Sequence, residues 1–181
     1  MPNNHVMIDL ETLSSNVDAV ITIIGAVSFD PETLELGDQF KVNVDPASCE
    51  RFGLRISAST VLWWFGQSRD AQQSMLTNQV PLDDALSLLT RWMQTQAAGQ
   101  PIVVWGNGID FDGSVLRNAY KAAKMWEPWK YSNGRCYRTI KAMFPEVKFV
   151  REGVHHDALA DALSQTKHLL AILRHVRGRQ S

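Results

Sequence analysis

Apolar and polar positions along the chain follow two periods. His5 to Leu10 is a short apolar run of strand length, and Val20 to Phe29 is a longer one rich in β-branched residues. Asp30-Pro31-Glu32 supplies turn chemistry, after which Gln39 to Val44 alternates, with Phe40, Val42 and Val44 on one side. Three strands without an intervening helix predict an antiparallel meander. After Asp45-Pro46 the period lengthens. Ser59 is placed to cap a helix through Trp63-Trp64-Phe65 that ends near Gly66. Pro81 opens an amphipathic helix with Leu82, Leu86, Leu89 and Met93 on one face, ending before Gly99.

The second half alternates. Ile102 to Trp105 is a short buried strand with Gly106-Asn107-Gly108 as its turn, and a helix follows from Asp110 to Lys124. Arg135 to Phe144 predicts a further helix stopped at Pro145, and Asp157 to Val176 a long one carrying Leu159, Leu163, Leu170 and Leu173 inward. The pattern predicts an α/β fold: a mixed five-stranded sheet, an antiparallel meander and then parallel strands, flanked by helices. Internal repeats and linker-like runs are missing, so residues 1–181 are expected to form one domain.

Composition narrows the class. Hydrophobic residues make up 45% and charged residues 20%, which is ordinary for a soluble globular chain. The apolar stretch Ala19 to Phe29 is too short to span a bilayer, and the start, Met-Pro-Asn-Asn-His, has no signal-peptide character. Two cysteines, Cys49 and Cys136, make no disulfide framework, so a cytoplasmic location is expected. The net charge of −1 hides an asymmetry. Residues 1–90 hold 4 Lys and Arg against 12 Asp and Glu, a balance of −8, and residues 91–181 hold 14 against 7, a balance of +7. Folded into one surface, that asymmetry suits an acidic pocket beside a basic face, or simply solvated faces.

The candidate chemistry lies in three places. In Asp9-Leu10-Glu11 the two acids are two residues apart on a strand and so share a face, with Ile8 and Leu10 on the other. Side by side they repel, and a divalent cation would relieve the repulsion, whereas a strand ending in water would solvate them. Asn107-Gly108-Ile109-Asp110-Phe111-Asp112 delivers Asp112 into the first turn of a helix, with Asp110 placed as its N-cap. The same stretch fails as a dinucleotide-binding loop, because position 111 is Phe rather than Gly and no βαβ unit opens the chain. In His156-Asp157-Ala158-Leu159-Ala160-Asp161 the histidine and the last acid meet if His156 lies in the loop and Asp161 on the first turn or two of the helix. Small residues at 158 and 160 would let that helix start approach the sheet. His155 has no role in this reading. A zinc set of His155, His156 and Cys136 lacks a recognisable ligand spacing.

Order and spacing together resemble the DEDDh 3′–5′ exonucleases, the group that includes oligoribonuclease, ribonuclease T and proofreading exonuclease domains. The matching elements are Asp9-x-Glu11, Asn107-x-x-x-Phe111-Asp112 and His156-x-Ala158-x-x-Asp161, which span nearly the whole chain. The flanking text (His-Val-Met-Ile-Asp-Leu-Glu-Thr, the Ser59 to Trp64 segment and Val104-Trp105-Gly106-Asn107-Gly108) is similar to the small bacterial and phage exoribonucleases of the mycobacterial type. Arg135-Cys136-Tyr137-Arg138-Thr139 departs from that branch, where an acid often precedes the Arg-Thr pair.

The resemblance implies a ribonuclease H-like fold and hydrolysis of phosphodiesters from a free 3′ end, releasing nucleoside 5′-monophosphates. It implies two divalent ions, Mg²⁺ or Mn²⁺, with Asp9 bridging both, Glu11 and Asp161 completing one site and Asp112 holding the other. His156 would be the general base. Single-stranded RNA is the favoured substrate, with Asn107, Trp63, Trp64 and Arg138 as substrate contacts and Phe65 a further stacking candidate. For the aromatics, packing into the core is the competing reading. Arg135, Lys141, Lys148 and the tail residues Arg174, Arg177 and Arg179 are further phosphate candidates. A homodimer, with the basic tail reaching across to a partner's acidic pocket, is also implied. The competing functions are a 3′–5′ exodeoxyribonuclease and a non-catalytic nucleic-acid-binding module.

Overall fold

A computed structural model describes residues 3–153 and 155–179. Met1 and Pro2, cited above at the start of the chain, lie outside the described residues. The expected meander is present as β1 (His5–Thr12), β2 (Ile21–Asp30) and β3 (Glu35–Val44). Three helices follow, α1 (Pro46–Arg51), α2 (Ala58–Phe65) and α3 (Arg69–Ser74), then β4 (Gln79–Val80) and α4 (Leu82–Ala97). The second half holds β5 (Val103–Gly106), α5 (Ile109–Ala122), β6 (Gly134–Cys136), α6 (Tyr137–Met143) and α7 (Ala158–Gly178).

The sheet has six strands rather than five, in the order β4-β3-β2-β1-β5-β6. β1 runs antiparallel to β2 and parallel to β5, and the two short additions, β4 and β6, pair parallel with β3 and β5. Two and three residues are too few to leave a hydrophobic period in the sequence, and β6 takes up Arg135 and Cys136, where a helix was expected.

Helices cover both faces, which is why every residue of β2 is buried. On one face Val6, Ile8 and Leu10 of β1 pack with Leu82, Leu86, Leu89 and Met93 of α4 and with Val115, Leu116 and Ala119 of α5. On the other, Met7, Val27 and Phe29 pack with Tyr137 of α6 and Ala162, Leu169 and Leu170 of α7. The strand alternation therefore sends Asp9 and Glu11, which follow Met7 on its side, toward α7.

The buried side of α7 is more polar than its leucines suggest. Ser164, Gln165, Thr166 and His168 are buried with Leu169 and Ile172, whereas Leu159, Leu163 and Leu173 are only partly buried. The start of this helix comes close to the sheet at Gly25, where a Cβ would lie 2.3 Å from the carbonyl carbon of Ala158. Gly25 pairs with Asp9 across β1 and β2. The described part of the tail is held on its own chain: Arg177 bonds to Glu32 at 3.0 Å, and Arg179 to Glu146 at 3.3 Å.

Candidate active site

Asp9 and Glu11 stand on β1, whose end is fixed from two sides. Thr22 Oγ1 donates to the Glu11 carbonyl at 3.0 Å, and the Trp64 indole N–H donates to the Thr12 carbonyl at 2.9 Å. Asp112 arrives on the first turn of α5. The N-cap there is Gly108, at φ 133°, rather than Asp110, which sits inside the first turn. Glycine takes that backbone conformation without a Cβ penalty, so the cap moves back two residues. Gly106 leaves room for the Asp112 carboxylate, since a Cβ at Gly106 would lie 3.0 Å from its Oδ2.

Asp161 lies on the first turn of α7 and His156 in the loop before it, as the five-residue offset requires. The side chain of Asp157 caps the helix by accepting from the backbone N–H of Leu159 and of Ala160, both at 3.2 Å. The backbone N–H of His156 donates to Asp161 Oδ2 at 3.3 Å.

These residues line one cavity of about 300 Å³: Asp9, Glu11, Asp112, His156 and Asp161, with Asn107 beside them. Ligand oxygens of Asp9, Glu11 and Asp161 lie within 4.8 Å of one another. Glu11, Asp112 and Asp161 are 7%, 7% and 8% exposed, so three carboxyl groups are nearly out of water in one place. Burial, and then the charges of Asp112 and Glu11, push the Asp9 carboxyl well above the usual range. Burial, followed by the charges of Asp157 and Asp112, raises Glu11 to about 8. Asp112 is raised to about 7 by burial, against the opposing pull of the Leu10 backbone N–H. A set of buried oxygens that resists ionising in its own company is the donor chemistry of a hard divalent cation. The acids of this site can hold a metal ion.

His156 is held below its ordinary pKa, first by burial and then by His155 and Arg151. Its ring meets the edge of Trp63, with centroids 4.9 Å apart at 80°. Trp63 is 46% exposed, whereas Trp64 is 4% exposed and spends its N–H on β1. Trp64 therefore has no free face for a base and belongs to the core. Leu62 and Phe65 are exposed on the same helix. Arg138 does not line the acidic cavity. It donates to the Asn107 carbonyl at 2.6 Å and lines a neighbouring groove of about 510 Å³, with Lys141 and Lys148, that shares Asn107. Arg135 donates to the carbonyls of Ser132 and Gly134 in its own turn.

Three contacts carry no signal in the motifs. Gln165 Nε2 donates to Asp9 Oδ1 at 2.8 Å, Arg151 forms an ion pair with Asp161, and Lys41 of β3 forms one with Asp157. Gln165 could have been found, because it stands four residues after Asp161 and so shares its helix face. Arg151 and Lys41 arrive by tertiary folding alone.

Residues 4–173 match the sequence profile of the 3′–5′ exoribonuclease Rv2179c-like domain. The chain belongs to this Rv2179c-like family. Its fold is shared with the nuclease domain of 3′hExo, a DEDDh family member solved with rAMP bound: TM-score 0.66, 15% identity, 94% of this chain and 92% of that one. Exonuclease I from Methylocaldum szegediense gives a TM-score of 0.65 at 18% identity, over 97% of this chain and 40% of that one. The zinc-bound form of the E. coli exonuclease I complex with single-stranded DNA gives 0.66 at 17%, over 96% and 40%. This chain thus spans about two-fifths of those exonuclease I chains. No curated protein matches the chain in sequence. The fold is ribonuclease H-like, as in those exonucleases, and the family profile makes this chain a 3′–5′ exonuclease.

Proposed function

We propose that this protein is an exoribonuclease that shortens single-stranded RNA from its 3′ end, releasing nucleoside 5′-monophosphates. The observation that carries the reading is the convergence of Asp9, Glu11 and Asp161 in the same cavity as His156. The family profile supports RNA over DNA. Two divalent ions, Mg²⁺ or Mn²⁺, would be held by Asp9, Glu11 and Asp161 together with Asp112. When bound, such ions supply charge stabilisation at the attacking and leaving oxygens of the phosphodiester.

The chain's own residues do the rest. His156 is neutral at pH 7 to 8, because burial lowers its pKa, so its ring nitrogen accepts the proton of the attacking water. The Asp161 contact to its backbone N–H and the Trp63 edge hold that ring over the cavity. Gln165 fixes the carboxylate of Asp9. Trp63, half-exposed beside the base, stacks on a nucleobase, and Asn107 and Arg138 meet the sugar-phosphate at the mouth. The reading includes a homodimer and a cytoplasmic location, which light scattering and fractionation of expressing cells test.

The test is degradation of a 5′-labelled single-stranded RNA oligomer with Mg²⁺, Mn²⁺ or EDTA, comparing wild type with Asp9→Ala and running the matched DNA oligomer alongside. A ladder shrinking from the 3′ end, faster on RNA and lost with EDTA and with the variant, is expected. Faster loss of the DNA oligomer would make the protein an exodeoxyribonuclease. RNA that shifts on a native gel but is never cut would make it a binding module.

A further inference from the structure

Two groups of ligating atoms meet at Asp161. One is the all-oxygen trio with Asp9 and Glu11. The other is His155, His156 and Asp161, in which one nitrogen of each imidazole and a carboxylate oxygen also lie within 4.8 Å of one another. His155 has no part in the exonuclease reading, yet its ring stacks on that of His156 with centroids 3.7 Å apart at 22°. Adjacent side chains ordinarily diverge. Here His156 takes the left-handed backbone conformation, at φ 62°. Trp63 also meets the His156 ring, edge to face.

The two groups differ in the ion they suit. Mg²⁺ and Mn²⁺ take carboxylate and water oxygens, whereas two imidazoles with one carboxylate oxygen and a water make a tetrahedral zinc site. Cys136, the third ligand of the zinc set considered from sequence, is not part of this cluster; Asp161 takes that place. Arg151 is the competing cation, since its guanidinium is paired with Asp161.

We propose that His155, His156 and Asp161 form a zinc site that switches the nuclease off. Zinc there takes the ring nitrogen of His156, leaving it no lone pair for the attacking water, and turns the Asp161 carboxylate away from the oxygen trio. The inhibition rests on the reading of His156 as the base; the binding of zinc does not.

Calorimetric titration of the chelator-treated full chain with ZnCl₂, without RNA, tests the site. Of the zinc taken up, one equivalent is expected to bind at least tenfold more weakly in His155→Gln and to be retained by Asp9→Asn. Arg151→Gln is expected to tighten it, by removing the competing cation. Cobalt(II), used as a visible-absorption probe, is expected to show tetrahedral bands that His155→Gln loses. His155 is exposed, so a circular dichroism melt of His155→Gln matching wild type separates ligand loss from misfolding. Equal zinc affinity in wild type and His155→Gln, or loss of zinc with Asp9→Asn, would overturn the proposal. In a parallel arm, zinc added to the Mg²⁺-supported RNA assay is expected to inhibit wild type at concentrations tenfold below those needed for His155→Gln. RNA left uncut even without zinc would refute the exonuclease reading, while the titration still decides the site.

Discussion

Gly25→Ala tests how the fold assembles the site. Gly25 lies opposite Asp9 on the neighbouring strand, beneath the start of α7. A Cβ there would sit 2.3 Å from the carbonyl carbon of Ala158, 2.4 Å from the amide nitrogen of Leu159 and 2.5 Å from the Ala158 oxygen. All three are backbone atoms, so no side chain can swing aside. Carbon contacts settle at about 3.5 Å, so the helix start must retreat by about 1.2 Å. Overpacking of this kind costs about 1–3 kcal/mol. In a chain of this length that lowers Tm by roughly 2–12 °C. The same retreat carries Asp161 away from Asp9 and Glu11, and a misplacement of about 1 Å in a reacting constellation costs on the order of 10²-fold in rate. The assays are a thermal melt and the rate on labelled RNA with Mg²⁺. Gly178→Ala, at a glycine with open space around its Cβ position, is the control and is expected to match wild type. A Gly25→Ala protein with wild-type Tm and wild-type rate would refute the reasoning; a lowered Tm with full rate would refute its second half.

The raised carboxyl groups predict a pH dependence of stability in the chelator-treated protein. Glu11 at about 8 and Asp112 at about 7 keep protons in the fold at pH values where the unfolded chain, with carboxyl pKa values of about 4, has lost them. Their contribution is therefore complete at low pH and lost as pH rises through 7 to 8. Tm in EDTA should fall between pH 5 and pH 8, and Mg²⁺ or Glu11→Gln should flatten the fall; a flat profile in EDTA counts against the cluster. Trp64→Phe leaves the Thr12 carbonyl without its buried donor and should cost about 1–3 kcal/mol in urea unfolding. Trp63→Ala, at a half-exposed position, should change stability by less than about 1 kcal/mol while raising KM for RNA severalfold. Tyr137→Phe strips a buried 2.6 Å bond from His168 and should lower stability by about 1–3 kcal/mol in the same unfolding assay.

The parts of this architecture that a linear pattern reveals are those repeated along one element. Val6, Ile8 and Leu10 against Met7, Asp9 and Glu11 is a period of two, and it fixes both the strand and the face that carries the acids. Leu82, Leu86, Leu89 and Met93 do the same for α4. The pattern misleads in part on α7, where Leu170 is buried as expected but Leu159, Leu163 and Leu173 are only partly buried. Polar residues are cheap to bury there because each finds a partner: Ser164 Oγ donates to the Ala160 carbonyl and Thr166 Oγ1 to the Ala162 carbonyl within the helix, while Gln165 bonds to Asp9 and His168 to Tyr137. The cap of α5 was misplaced because an aspartate is the commoner N-cap, whereas Gly108 wins through its backbone freedom. Arg151 and Lys41 were invisible, since their partners are chosen by loop closure and sheet packing.

The cavity is partly prepared for its negative charge. The N-terminal ends of α5 and α7, where unpaired N–H groups concentrate positive potential, each carry one of its acids on the first turn. Gln165 donates to Asp9, and Arg151 pairs with Asp161. Together they fall short, because Glu11 still stands at about 8 and Asp112 at about 7. A chain that needed these carboxyl groups only for structure would gain by losing one of them. With glycine at positions 25 and 106 opening the space in which these acids converge, a cation held there would supply the missing charge. Asp161 belongs to both ligand groups, so on the proposed reading the cation that satisfied it first would decide whether the histidine beside it was free to take a proton.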